Sequence, residues 1–161
     1  MRGRVFILGD NIDTDVIAPA GYLHLGIAAL KDHALEAVRP DFHTSVRPGD
    51  IIIAGRNFGY GSSREQAPAV LKDLGIGIIL ARSFARIFFR NSINIGLPLG
   101  IIREVGDIND GDYVNYEPES GKIYDDDGNA VVLFTGPGGP LSEILEEGGM
   151  VDFIRKKLGI K

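Results

Sequence analysis

Two apolar runs, separated by a polar glycine-rich stretch and a helix, constrain this chain more than any other feature. Ile51-Ile52-Ile53-Ala54-Gly55 has no polar alternation, so it reads as a strand buried on both faces. A polar run from Arg56 to Arg64 follows, then a helical stretch from about Glu65 to Leu74 closed by Gly75. Ile76 to Ala81 resumes as a second buried strand. Strand, turn, helix and strand within about 30 residues make a βαβ unit. Its two strands run parallel, because the helix carries the chain back to the end from which it started.

The flanking segments extend this centre. Arg4 to Leu8 reads as a strand that breaks at Gly9-Asp10-Asn11. The loop through Asp13, Thr14 and Asp15 to Pro19-Ala20-Gly21 reads as a turn-rich connector whose Asp and Asn side chains bond their own backbone. The spacing of Leu30, Ala34, Leu35 and Val38 predicts one helix from Ala28 to Val38, ended by Arg39-Pro40. Arg47-Pro48-Gly49-Asp50 is a turn. A second helix is predicted from Phe84 to Ile95, with Ile87, Phe88, Asn91 and Ile95 on or near its buried stripe. Leu99 to Ile102 is a further strand. The turn signals Asn109-Asp110-Gly111-Asp112, Glu119-Ser120-Gly121-Lys122 and Asp125-Asp126-Asp127-Gly128-Asn129 divide the next stretch into short antiparallel strands. Terminal helices fall at about 141–158, broken at Gly148-Gly149. There is no internal repeat and no dividing linker. The expectation is a single α/β domain over residues 1–161, with a parallel βαβ centre and a short antiparallel β section.

Composition excludes several classes of function. A net charge of −5 disfavours nucleic acid and anionic membranes as partners. No apolar run reaches the ~18 residues that cross a bilayer, and the run after Met1-Arg2-Gly3-Arg4 is too short for a signal-peptide core. The expectation is a soluble, cytoplasmic protein. With no cysteine, the chain has no disulfide, no thiolate nucleophile and no cluster held by its own thiolates. Its histidines, His24, His33 and His43, lack metal-ligand spacing, so no metal ligand is assigned.

Three segments carry polar chemistry. Asn57-Phe58-Gly59-Tyr60-Gly61-Ser62-Ser63-Arg64-Glu65 follows a strand and opens a helix, where free amides and the helix dipole favour an anion. Arg64 adds a planar, charged fork suited to a carboxylate or phosphate. The same residues also allow a purely structural reading, with Ser63 capping the helix and Gln66 closing a capping box. No histidine lies nearby in sequence to activate a serine, and the G-x-S-x-G elbow is absent. In the second segment, Asp13, Thr14 and Asp15 have oxygens for a hard cation, but the EF-hand pattern fails and a turn is favoured. In the third, Arg82 to Asn94, aromatics and arginines interleave at core-helix spacing, leaving Arg90, Asn91 and Asn94 for an interface or polar network.

Taken together, Gly9 to Asp15, Arg47 to Asp50, Gly55 to Glu65 and Ser83 to Asn91 resemble the small subunits of the 3-isopropylmalate dehydratase family, which are similar to the swivelling fourth domain of aconitase. The resemblance spans essentially the whole chain. It implies a swivelling β/β/α domain. It also implies a hydro-lyase active only with a large subunit, as a heterodimer or heterotetramer. That partner would hold a [4Fe–4S] cluster whose open iron helps hydroxide leave. Ser62 matches the family's catalytic base, which takes a proton from the carbon beside a carboxylate. Ser63 and Arg64 match positions that bind the substrate carboxylate, with Asp15 and Thr14 supporting them.

The resemblance also places substrate discrimination on the loop Tyr22-Leu23-His24-Leu25, with Gly26 and Ile27 beyond it. Homoaconitase relatives carry an arginine at the position of His24, whereas isopropylmalate enzymes carry apolar residues nearby. Leu23, Leu25 and Ile27 favour a branched alkyl group, because a buried carboxylate without a strong partner is costly. Ala18, where aconitase-like domains have a serine, points away from a citrate-type substrate. The expected reaction is isomerisation of 2- and 3-isopropylmalate in leucine biosynthesis. The alternatives are homoaconitate hydration, dehydration of another alkyl-substituted malate, and a non-catalytic anion-binding module.

Overall fold

The computed structural model describes residues 1–160. Seven strands close into one barrel in the order β1-β2-β3-β4-β7-β6-β5. They are β1 Arg2–Ile7, β2 Ile51–Ala54, β3 Ile78–Ala81, β4 Leu99–Ile102, β5 Tyr113–Glu117, β6 Lys122–Tyr124 and β7 Ala130–Thr135. The first four pair in parallel, with Ile52 opposite Phe6 and Ile79 and with Leu80 opposite Gly100. The rest pair antiparallel, and β5 closes the barrel on β1 with Gly3 opposite Val114.

The helices are α1 Thr14–Ile17, α2 Ile27–Leu30, α3 Phe42–Ser45, α4 Gln66–Asp73, α5 Arg86–Asn94, α6 Pro140–Glu146 and α7 Met150–Leu158. A 3₁₀ turn spans Ala20–Leu25 and another Lys31–His33. Helices α4 and α5 are the crossovers that make β2, β3 and β4 parallel.

The unbroken apolar runs follow from two cores. Val5, Ile51, Ile53, Ile78 and Leu80 share the barrel interior with Val114, Tyr116, Ile123, Val132 and Phe134. Their neighbours Phe6, Ile52, Ala54, Ile79 and Ala81 face outward into a second core beneath the helices, with Phe58, Val70, Leu71 and Phe88. Successive residues of β2 and β3 therefore serve different cores, and neither face is left for a polar residue. Each fully buried Ile contributes about 1.5–3 kcal/mol by transfer.

Residues 28–38 do not form one helix. They break into α2, the second 3₁₀ turn and a run of turns in which Leu35 takes φ +58°. The Leu35 amide donates to Val16 O at 3.1 Å, and its side chain is fully buried. Tertiary packing against α1 therefore overrides the helical period. Helix α5 is also rotated from the expected stripe. Phe88, Ser92 and Ile93 are buried, whereas Ile87 is 51% exposed. No described helix is long and apolar enough to cross a membrane.

Candidate active site

Backbone geometry gathers the site at the carboxyl ends of the parallel strands. After β2 the chain passes Gly55, where an added Cβ would lie 1.8 Å from Asp10 Oδ1. That carboxylate instead accepts the Arg56 amide at 2.7 Å. Asn57 takes φ +61°, its amide donates to Ser83 Oγ at 2.8 Å, and its side chain donates to Asn11 Oδ1 at 3.2 Å. Gly59 has φ +78°, and a Cβ there would stand 2.2 Å from Phe88 Cγ, so only glycine fits. The glycine-rich run is thus seated between the loop after β1 and the start of α5.

The loop after β1 becomes ordered by meeting this turn. Asp13 caps α1 by accepting the Val16 amide at 2.7 Å. The Thr14 amide donates to Tyr60 O at 2.8 Å, and the Gly59 amide donates to Ile12 O at 2.7 Å. Thr14 is buried; its hydroxyl donates to Ser62 O at 2.9 Å and lies 3.4 Å from Ser62 Oγ. Gly61, at φ +102°, lets the chain pass Thr14 closely. Asp10 to Asp15 is therefore one wall of the site, not a cation loop.

Arg64 is braced from the same wall. Its Nη1 donates to Asp15 Oδ1 at 2.7 Å and to Ala18 O at 3.1 Å. Asp15 Oδ1 also accepts the Ala20 amide at 3.1 Å, which ties the brace to the start of the 3₁₀ turn. The Arg64 guanidinium, then the Ala20 amide, hold the Asp15 carboxyl below its ordinary range. Nε and Nη2 of Arg64 make no hydrogen bond among the described residues, so three N–H groups on two nitrogens stay unpaired.

Ser62 and Ser63 are exposed. The capping expectation fails here. Helix α4 begins at Gln66 after Glu65, and no side chain caps it. In its first turn the Ala67 amide donates to Arg64 O at 3.3 Å and Pro68 has no N–H, so the Gln66 amide alone is left to solvent or a ligand. Of the loop Tyr22 to Leu25, His24 and Leu25 are exposed. Tyr22 and Leu23 pack on the outer core, and Tyr22 stacks on His33 with centroids 3.5 Å apart.

A cleft of about 410 Å³ beside Ser62 is lined by Gly59, Gly61, Ala85, Arg86, Ile87 and Arg90. Helical spacing gave no sign that Arg86 and Ile87 belong here; their only signal was position just after a strand end. A larger cleft, about 600 Å³, lies at the opposite end of the barrel near Ile78, Leu99 and Thr135, and holds none of these residues. Ser62 stands in the smaller cleft.

The serine-arginine turn lies within residues 26–104, which match the family model of the aconitase C-terminal domain, here joined to a seven-stranded barrel. The 3-isopropylmalate dehydratase small subunit of Nautilia profundicola is 45% identical, over 98% of this chain and 96% of its own. The methanogen homoaconitase small subunit of Methanothermobacter thermautotrophicus is 47% identical, over 98% and 92%. A crystal structure of 3-isopropylmalate dehydratase from Methanocaldococcus jannaschii superposes with a TM-score of 0.90 at 39% identity, covering 98% of this chain and 94% of that one. The chain belongs to the family of 3-isopropylmalate dehydratase small subunits.

Proposed function

We propose that the chain is the small subunit of a cytoplasmic hydro-lyase that interconverts 2- and 3-isopropylmalate by dehydration and rehydration in leucine biosynthesis. One observation carries the reading: an exposed Ser62 at a helix start, hydrogen-bonded through Thr14 and flanked by an arginine braced on Asp15. The names of its full-length relatives support it, and the word "subunit" in them supports a large partner. Residues 1–161 act as one swivelling domain that brings the turn to that partner.

The [4Fe–4S] cluster implied by the resemblance does not fit on this chain. There is no cysteine, and no group of three or more His, Cys, Asp or Glu side chains among the described residues stands close enough to hold a metal. The cluster is assigned to the large subunit. This chain supplies proton transfer and carboxylate binding. Ser62 Oγ takes the proton from the carbon beside a substrate carboxylate. Ser63 and the free Nε and Nη2 of Arg64 bind that carboxylate and stabilise the charge that builds on it. Serine acts as such a base only as its alkoxide, which is too basic to persist in water, so Ser62 depends on the positive charge of Arg64 and the dipole at the start of α4. Tyr22, Leu23, His24 and Leu25 select the group on the malate core.

A second reading, homoaconitate hydration, is favoured by exposed His24, which when protonated pairs with a distal carboxylate, and by the homoaconitase relative. Anaerobic reconstitution with the large subunit, followed by turnover of isopropylmalate, homoaconitate and citraconate, separates the two. Homoaconitate turnover without isopropylmalate turnover would overturn the substrate assignment. Wild-type rates in a Ser62→Ala complex would remove the serine from its role. Failure to co-purify with any large subunit would leave an anion-binding module.

A further inference from the structure

We infer that the rim formed by Tyr60, Arg86, Ile87 and Arg90 is the surface on which an acidic, carboxylate-bearing face of the large subunit docks; this rests on the two-subunit reading above. Arg86 and Arg90 stand one turn apart on α5 and both line the cleft beside Ser62. Neither makes an ion pair or side-chain hydrogen bond among the described residues, and the same holds for Arg56 and Arg82 at the neighbouring strand ends. Elsewhere cations such as Arg2, Arg39, Arg64 and Lys156 are paired with carboxylates.

The arrangement opposes the stability of the chain by itself. Like charges four residues apart destabilise a helix, and a cation in its first turn opposes the dipole. On a chain of net charge −5, a group of unpaired arginines at one end of the barrel calls for an external carboxylate. Two further residues decide between a small anion and a protein. Ile87, next to Arg86, is 51% exposed, and Tyr60, between the cleft-lining Gly59 and Gly61, is 37% exposed. The proposed substrate brings only one isopropyl group, so it buries far less apolar surface here than a protein face does. A protein face gains from burying Ile87, and Tyr and Arg are the side chains that dominate such contacts. Tyr60 is also held in place through its backbone, by the bonds from Thr14 and beside Asp13. A partner seated here closes the cleft over Ser62 and removes water from around it.

The test titrates the large subunit into the wild-type chain, into an Arg86→Ala/Arg90→Ala variant and into Ile87→Ser, at low and high salt. The arginine variant is expected to bind about tenfold to a hundredfold more weakly, with a flatter salt dependence, and excess large subunit should recover turnover. Ile87→Ser should weaken binding while keeping the wild-type salt slope. Arg86→Lys/Arg90→Lys should restore most of the affinity, which separates docking from misfolding. Wild-type affinity and salt slope in both the arginine and Ile87 variants would overturn the inference. So would unchanged affinity with a raised KM for isopropylmalate, which would make the arginines substrate ligands. A wild-type chain that binds no large subunit sinks the two-subunit reading itself, a result distinct from normal binding by the variants.

Discussion

Arg64 and Asp15, 49 positions apart, meet through a 2.7 Å bond from Nη1 to Oδ1 that joins the serine turn to the loop after β1. The same oxygen holds the Ala20 amide at 3.1 Å. One carboxylate therefore orients Arg64 and anchors the start of the turn that bears His24.

This pair sets an acid limit. The Asp15 carboxyl is held below its ordinary value by Arg64, so its contribution is present at neutral pH and is lost only as pH falls through that lowered value. A titration of the Asp15 carboxyl carbon by NMR should show a midpoint below 3.8, returning toward it in Arg64→Gln. A midpoint at or above 3.8 in the wild type would contradict the pairing. Asp15→Asn should raise KM in the reconstituted enzyme while the barrel keeps its melting temperature.

Thr14 is the hydroxyl that steadies Ser62, through bonds to its carbonyl oxygen and the approach to Oγ. Thr14→Val keeps the shape but removes the donor. The reconstituted enzyme should lose about tenfold in kcat, which corresponds to about 1.4 kcal/mol. Steady-state kinetics showing full kcat would mean that Thr14 serves the fold alone.

Gly59 tests the seating of the turn. Its φ of +78° and the 2.2 Å approach to Phe88 penalise any side chain twice over. Gly59→Ala should cost about 2–4 kcal/mol in urea unfolding, from backbone strain and overpacking. A loss below 1 kcal/mol on that scale would show that α5 yields easily.

Asp50 is a buried carboxylate, 3% exposed, that accepts the Arg4 amide at 2.8 Å and the Arg47 amide at 2.7 Å. Asp50→Ala strands both amides and should destabilise by about 2–4 kcal/mol. Asp50→Asn keeps one acceptor and should cost less. Equal melting temperatures for wild type and Asp50→Ala would refute this account.

Much of the central unit was legible before folding was considered. Unbroken apolar runs at β2 and β3 declare burial on both faces, and the helices that follow them imply parallel pairing. The segment after Ala28 was misread because its apolar spacing is helical, whereas Leu35 bends to φ +58° to reach Val16. The Ser63 cap failed for a similar reason: the turn continues through Arg64 and Glu65 before α4 begins, so no side chain reaches the helix amides.

By itself the sequence determined the βαβ centre, the antiparallel section, the cysteine-free donor set and the serine-arginine turn, because each follows from local periodicity, turn chemistry or composition. Only the tertiary structure decided that the sheet closes into a barrel, that Asp15 and Thr14 meet that turn, and that Arg86 and Ile87 share its cleft. The reason is physical. Barrel closure and these contacts join residues far apart in the chain, and neither propensity nor spacing records which distant backbone groups pair once two cores are filled.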